Sequence, residues 1–170
     1  VELGVTSFDS TTPMRQAFMD DRSNFHTAVN AFTAIRVPQV DGNPALRRAV
    51  LAGTVNQQQA LQLERAALTA LRSFDAGSVG AESALEVVLE YEALVNGEKK
   101  SYGDRYAEML EAAPWKSCKC KLCLSHGVEI AIFRGTERNK RRGFHNLTVL
   151  AEMVHALPSG SRTRKAHAGA

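Results

Sequence analysis

The sequence predicts an α/β fold in which two segments with short β-like runs flank a long helical block. Three observations predict it. Runs rich in β-branched and aromatic residues lie at 31–37 and 128–133. Stripes of apolar residues at helical spacing fill 44–113, with no β signal among them. A tight cysteine cluster, C-x-C-x2-C, stands where the second β-like segment opens. The length of 170 residues fits one domain. With 44% hydrophobic and 23% charged residues, a wholly disordered chain is excluded. No stretch of about 18 apolar residues occurs, which excludes a membrane-spanning helix. VELGVTSFDS shows no secretory pattern, so a cytoplasmic location is expected. Val1 stands where an initiator Met would be, so either Met is removed or the sequence starts partway through a longer protein.

The elements follow in order. Gly4–Phe8 is strand-like and breaks at Asp9–Pro13, where Asp, Ser and Thr can bond nearby backbone and Pro fixes φ. Ala31–Val37 carries Phe32, Ile35 and Val37 and ends at Pro38 and Asp41-Gly42. Asn43 is an N-cap candidate, with Pro44 at the first helical position and Gly53 past the end. Gln57–Phe74 places Leu61, Leu68 and Leu71 on one face. Leu85, Val88, Leu89 and Val95 make the next stripe, stopped by Asn96-Gly97. Tyr102–Ala112 groups Tyr106, Met109 and Leu110. Pro114-Trp115 then opens a different region. Val128–Phe133, between Gly127 and Gly135, reads as a buried strand, and Arg134–Gly143 as a basic loop. Leu147, Leu150, Val154 and Leu157 recur at helical spacing up to Pro158, and the small, basic tail from Ser159 reads as disordered. The expected divisions are 1–43, 44–113, 114–158 and 159–170.

Charge is uneven. Residues 1–113 hold 10 Lys and Arg against 15 Asp and Glu, whereas residues 114–170 hold 11 against 3. A basic C-terminal third suggests a polyanion, most often nucleic acid. A solvated basic surface is the plainer alternative.

Cys118, Cys120 and Cys123 are odd in number and too close together for a disulfide framework. Thiolates suit Zn²⁺, and one imidazole completes a Cys₃His tetrahedron. His145 is the preferred fourth ligand, because it would staple the cysteine loop to the final helical stripe. His126, three residues after Cys123, is the local competitor, and three ordinary buried thiols are the remaining alternative. A four-ligand site has no open position, so this zinc would be structural.

Gly4–Arg15, GVTSFDSTTPMR, resembles the G-x-D-x-F-D-C-x-x-P-T-R signature of tRNA-guanine transglycosylases. Asn24–Thr27 and Ala34–Arg36 resemble the hairpin that follows that signature. The cysteine cluster and His145-Asn146-Leu147 resemble the family's zinc site and the start of its last helix. There are departures. Ser10 stands where the family has Cys, Met14 where it has Thr, and Phe18 where it has a second basic residue. The block 44–113 has no counterpart of such length in the tRNA enzymes. The short link from Cys123 to His145 carries FRGTERNKRRGFHN. These features look more like the branch that inserts 7-deazaguanine bases into DNA.

The resemblance implies the C-terminal part of a (β/α)₈ barrel with a helical insertion at 44–113 and a structural zinc. It also implies a substrate in tRNA or DNA and exchange of guanine for a 7-deazaguanine base. Asp9 matches the nucleophile and Arg15 the arginine that helps hold nucleic acid. On electrostatic grounds Arg134, Arg138, Lys140, Arg141 and Arg142 are candidate phosphate contacts. The family's second Asp lies before the signature, so these residues hold half an active site. A full barrel takes about 250 residues, so the chain reads as a fragment or as one that needs a homo- or hetero-oligomeric partner. The rival reading is a non-catalytic, zinc-stabilised nucleic-acid-binding module or partner subunit.

Overall fold

Residues 11–97 and 101–157 are described by the computed structural model. Asp9, the Gly4–Phe8 run and the tail from Ser159 lie outside them. The architecture is α/β and mostly helical, with two short two-stranded sheets among the described residues. No described helix is long and apolar enough to cross a membrane.

Helix α1, Thr12–Met19, has Pro13 in its first turn, where a missing N–H costs nothing. Asp20 then accepts the backbone N–H groups of Arg22 and Ser23 at 2.7 and 2.8 Å and turns the chain. Strand β1, Phe25–His26, pairs antiparallel with β2, Ala31–Phe32. Strand β3, Ile35–Arg36, pairs in parallel with β4, Ile132–Phe133. The run expected over Ala31–Val37 therefore serves two sheets. Buried Asn24 makes the break: its backbone N–H bonds Phe32 O at 3.1 Å, and its Oδ1 accepts the Ala34 N–H at 2.7 Å.

Helix α2, Pro44–Leu51, is capped as expected: Asn43 accepts from the N–H groups of Ala45 and Leu46. Helix α3, Gln57–Asp75, is capped by Asn56 and buries Leu68 and Leu71. Helix α4, Ala81–Asn96, ends at Gly97, whose φ of 60° suits a residue without Cβ. Its buried line runs through Ala84, Val88 and Tyr91, with Leu85, Leu89 and Val95 at the edge. Helix α5, Gly103–Ala112, buries Tyr106, Met109 and Leu110. These stripes join Phe25, Ile35, Val37, Trp115, Ile130 and Ile132 in one apolar core. Polar ties fix the block to β3: Tyr91 OH donates to Pro38 O at 2.6 Å, and Arg36 N–H donates to Tyr106 OH at 3.2 Å.

Two expectations are corrected. Val128–Phe133 is buried but is not one strand: Gly127–Ile130 is a 3₁₀ turn, and only Ile132–Phe133 pairs. Gly127, at φ 51°, turns the chain, and the Val128 N–H goes to Asp75 Oδ2 at 2.9 Å, outside any ladder. Arg134–Gly143 is no loop. It opens helix α8, Gly135–His155. Its charges are matched along the helix and across to neighbours: Lys140 with Glu137 at 3.1 Å and Arg138 with Glu129. Gly143 permits the close packing of α8 on α1, since a Cβ there would collide with Met14 Sδ.

Candidate metal centre

Four side chains of two ligand types, three thiols and one imidazole, converge where α8 meets the cysteine segment. Ala113, in the left-handed region at φ 38°, reverses the chain from α5 into α6, Pro114–Ser117. Cys118 is extended, and Cys120 caps helix α7, Lys121–His126, by accepting the Cys123 N–H on Sγ at 3.3 Å. That cap turns two sulfurs toward one point. His145, in the middle of α8, supplies the imidazole. The ligand atoms of Cys118, Cys120, Cys123 and His145 all lie within 4.8 Å of one another. The grouping takes His145 and leaves out His126.

The donor set fits a tetrahedral ion. With metal–sulfur bonds of about 2.3 Å and a metal–nitrogen bond of about 2.0 Å at a tetrahedral angle, sulfur and nitrogen stand about 3.5 Å apart. His145 Nδ1 lies 3.8, 3.4 and 3.5 Å from the sulfurs of Cys118, Cys120 and Cys123. His145 Nε2 is 2.8 Å from His26 O. Only a protonated Nε2 can donate to a carbonyl, so Nδ1 keeps its lone pair for the ion. Phe25 stacks on the imidazole with centroids 4.4 Å apart. Burial, together with hydrogen bonding and charge at neighbouring thiols, pushes Cys123 up, and burial is the main cause that raises Cys118. Burial also pushes His145 down, toward the neutral imidazole. Three adjacent thiolates in this setting call for a cation.

Asn146, the next residue, extends the centre outward. Its Oδ1 accepts the His26 N–H at 3.0 Å, and its Nδ2 donates to Pro13 O and Asn24 O, each at 3.1 Å. The β1–β2 hairpin and the start of α1 are thus tied to the ligand helix. Sequence reasoning singled out His145-Asn146-Leu147 but gave a role to His145 alone. It also missed the buried Glu64–Arg134 pair, because Glu64 sits among apolar positions of α3.

The basic residues do not form one patch. Arg15 is exposed on α1, Lys140 is exposed on α8, and Arg141 is half-buried there. Arg134 bonds Glu64 at 2.6 Å and Val37 O at 3.0 Å, and Arg138 is held by Glu129. Arg142 is 0% exposed and donates to Ile132 O, Ala17 O and Asn139 Oδ1. Burial, with Arg36 nearby, pushes its guanidinium down to about 9. The phosphate contact expected of Arg142 is therefore corrected, because its donors face the protein interior.

No family model matches the chain. A curated protein of Salmonella montevideo named DNA-guanine transglycosylase is 48% identical over 153 residues, covering 88% of this chain. The chain spans 37% of that protein's length. This identity agrees with the resemblance of the sequence to guanine transglycosylases.

Proposed function

We propose that the chain is part of an enzyme that exchanges guanine in DNA for a 7-deazaguanine base. The observation that carries this reading is the 48% identity to a DNA-guanine transglycosylase, taken with the FDSTTP segment around Asp9. In this reading Asp9 is the nucleophile. Its carboxylate attacks the sugar C1′, the C1′–N9 bond of guanine breaks, and guanine leaves with a proton. The incoming base then attacks C1′, its own proton departs, and the Asp9 carboxylate is released. Splitting one displacement into two is ordinary covalent catalysis, and a carboxylate suits an oxocarbenium-like centre. The target base must first leave its stack. The purine also needs a proton donor, and we assign none among residues 1–170.

The ion is read as zinc in a structural role, held by Cys118, Cys120, Cys123 and His145. Its effect on the chemistry is positional. Asn146, beside the ligand His145, holds the Pro13 carbonyl in the first turn of α1, four residues after Asp9. The parallel pair β3–β4 supports neighbouring strands of a barrel. Arg15, Lys140 and Arg141 remain the candidates for backbone phosphates.

The test is incorporation of a labelled 7-deazaguanine base into duplex DNA by the full-length protein. Asp9→Ala should abolish incorporation while DNA affinity changes less than about threefold. DNA binding with no incorporation, or incorporation indifferent to Asp9→Ala, would replace the enzyme with a binding module.

A further inference from the structure

A cavity of about 410 Å³ lies beside the first turn of α8, with Arg36, Phe133, Gly135 and Thr136 in its walls. Arg36 ends β3 and Phe133 ends β4. The cavity therefore sits off the carboxyl ends of two parallel strands, the side on which open α/β sheets receive ligands.

Arg36 is the unusual member. Its guanidinium carbon lies 4.5 Å from the Phe133 ring centroid and 5.4 Å from that of Tyr102. Its Nε is buried with no hydrogen-bond partner, and no ion pair holds its side chain among the described residues. The Phe133 ring also carries the Arg142 guanidinium at 4.9 Å, which brings a second cation without a carboxylate partner. The nearby carboxylates bond other groups, and Asp21 accepts the Tyr102 hydroxyl at 3.0 Å. Glu92, in the cavity wall, accepts the Tyr102 N–H at 3.2 and 3.3 Å and the Ser101 hydroxyl at 3.0 Å. Glu64 is taken by Arg134 and by the Val40 N–H at 2.6 Å. Among the described residues neither Arg36 nor Arg142 is in a salt bridge with a carboxylate, and a partly buried guanidinium gains when an anion joins it. At the same edge, α8 begins with no side-chain cap, so its first amides and its positive end add to the field.

We propose that this cavity holds a phosphate group, seated against the Arg36 guanidinium and the first turn of α8, and that the phosphate is one in the backbone of bound DNA. A phosphate offers oxygens to the planar fork and to the backbone amides together. The assignment of DNA as the source rests on the function proposed above, whereas the phosphate pocket does not.

The experiment has two arms, both on the full chain. In the first, inorganic phosphate is titrated while backbone amide resonances are recorded. The Gly135 and Thr136 amides should shift and saturate in the unaltered protein. Arg36→Ala should lose that shift, and so should Thr136→Glu, which sets a carboxylate in the cavity wall at an exposed position. Unchanged circular dichroism and metal content exclude misfolding of either variant. In the second arm, duplex DNA affinity is measured across salt. Arg36→Ala should weaken binding about tenfold and reduce the slope of log Kd against log salt by about one. If phosphate moves neither amide, the pocket proposal is overturned. If phosphate binds but Arg36→Ala leaves the salt slope unchanged, DNA is overturned as the source and the pocket serves a free phosphorylated ligand. If phosphate binds and no DNA binding is detected, the functional reading falls and the pocket stands.

Discussion

The helical block and the metal end are held by different means. Helices α3 and α4 meet along apolar lines, and Leu71 and Val88 are almost wholly buried there. That contact is repetitive, renewed at each helical turn. At the metal end, α6 and α7 are four and six residues long, too short to be stable alone. What organises them is a set of point contacts between distant residues. His145 reaches His26 across 119 positions, and Asn146 reaches Pro13 across 133. Loss of one apolar contact in the block leaves the rest of its stripe, whereas an ion held by the four clustered side chains would be the common point of the other end, and its loss would remove that point. Glu129 joins the two regions, binding Arg72 of α3 at 2.8 Å and Arg138 of α8 at 2.6 Å.

Four perturbations sharpen that contrast, and the largest is metal removal. Structural zinc contributes about 10–16 kcal/mol in small domains that fold around it. A strong chelator at neutral pH should expose 114–126 and the β1–β2 hairpin to hydrogen exchange, with α3 and α4 protected for longer. Uniform loss across both regions would break the comparison. Next, Leu71→Ala should cost about 2–5 kcal/mol through lost burial and a residual cavity, read by denaturant unfolding, with metal content unchanged. Asn146→Ala should cost about 1–3 kcal/mol, because it leaves the Pro13 and Asn24 carbonyls and the His26 N–H without their partner. Its exchange signature should centre on α1 and the hairpin while the ion stays bound.

The smallest effect belongs to Glu129. Burial acts to raise its carboxyl, but hydrogen bonds from Arg72 and Arg138 prevail and hold it below the usual carboxylate range. The folded state therefore binds this proton less readily than the unfolded state. The stabilisation is complete above the ordinary carboxylate range and fades as pH falls through the lowered folded value. Both arginines are partly solvated, so the contribution is at most about 1 kcal/mol. Glu129→Gln should flatten the acid side of a profile of unfolding free energy against pH by at most that amount and leave the neutral side reduced.

The same contrast explains what the sequence disclosed. The block was legible because its signal is local: Asn43 caps a helix, and apolar spacing names Leu68, Leu71 and Met109 without knowledge of any partner. The clustering of Cys118, Cys120, Cys123 and His145 was legible because cysteine spacing carries its own chemistry, and stapling favoured His145 over His126. The rest depended on partners that no local pattern identifies. Arg134–Gly143 looked like a loop because its charges are balanced by Glu129, by Glu64 and by buried carbonyls distant in sequence. Arg142 looked like a surface cation for the same reason. The β-branched run at Val128–Phe133 indicated burial correctly, yet Asp75 on α3 diverts its first N–H into a turn.

The central structural claim is that one ion binds Cys118, Cys120, Cys123 and His145 and fixes α1 and the hairpin to α8. Native mass spectrometry of the reduced, purified protein tests it most directly, with His145→Ala and His126→Ala alongside. The account predicts one zinc per chain, lost or sharply reduced in His145→Ala and retained in His126→Ala. Less than about half an equivalent of metal in the unaltered protein, or equal retention in both variants, would contradict it.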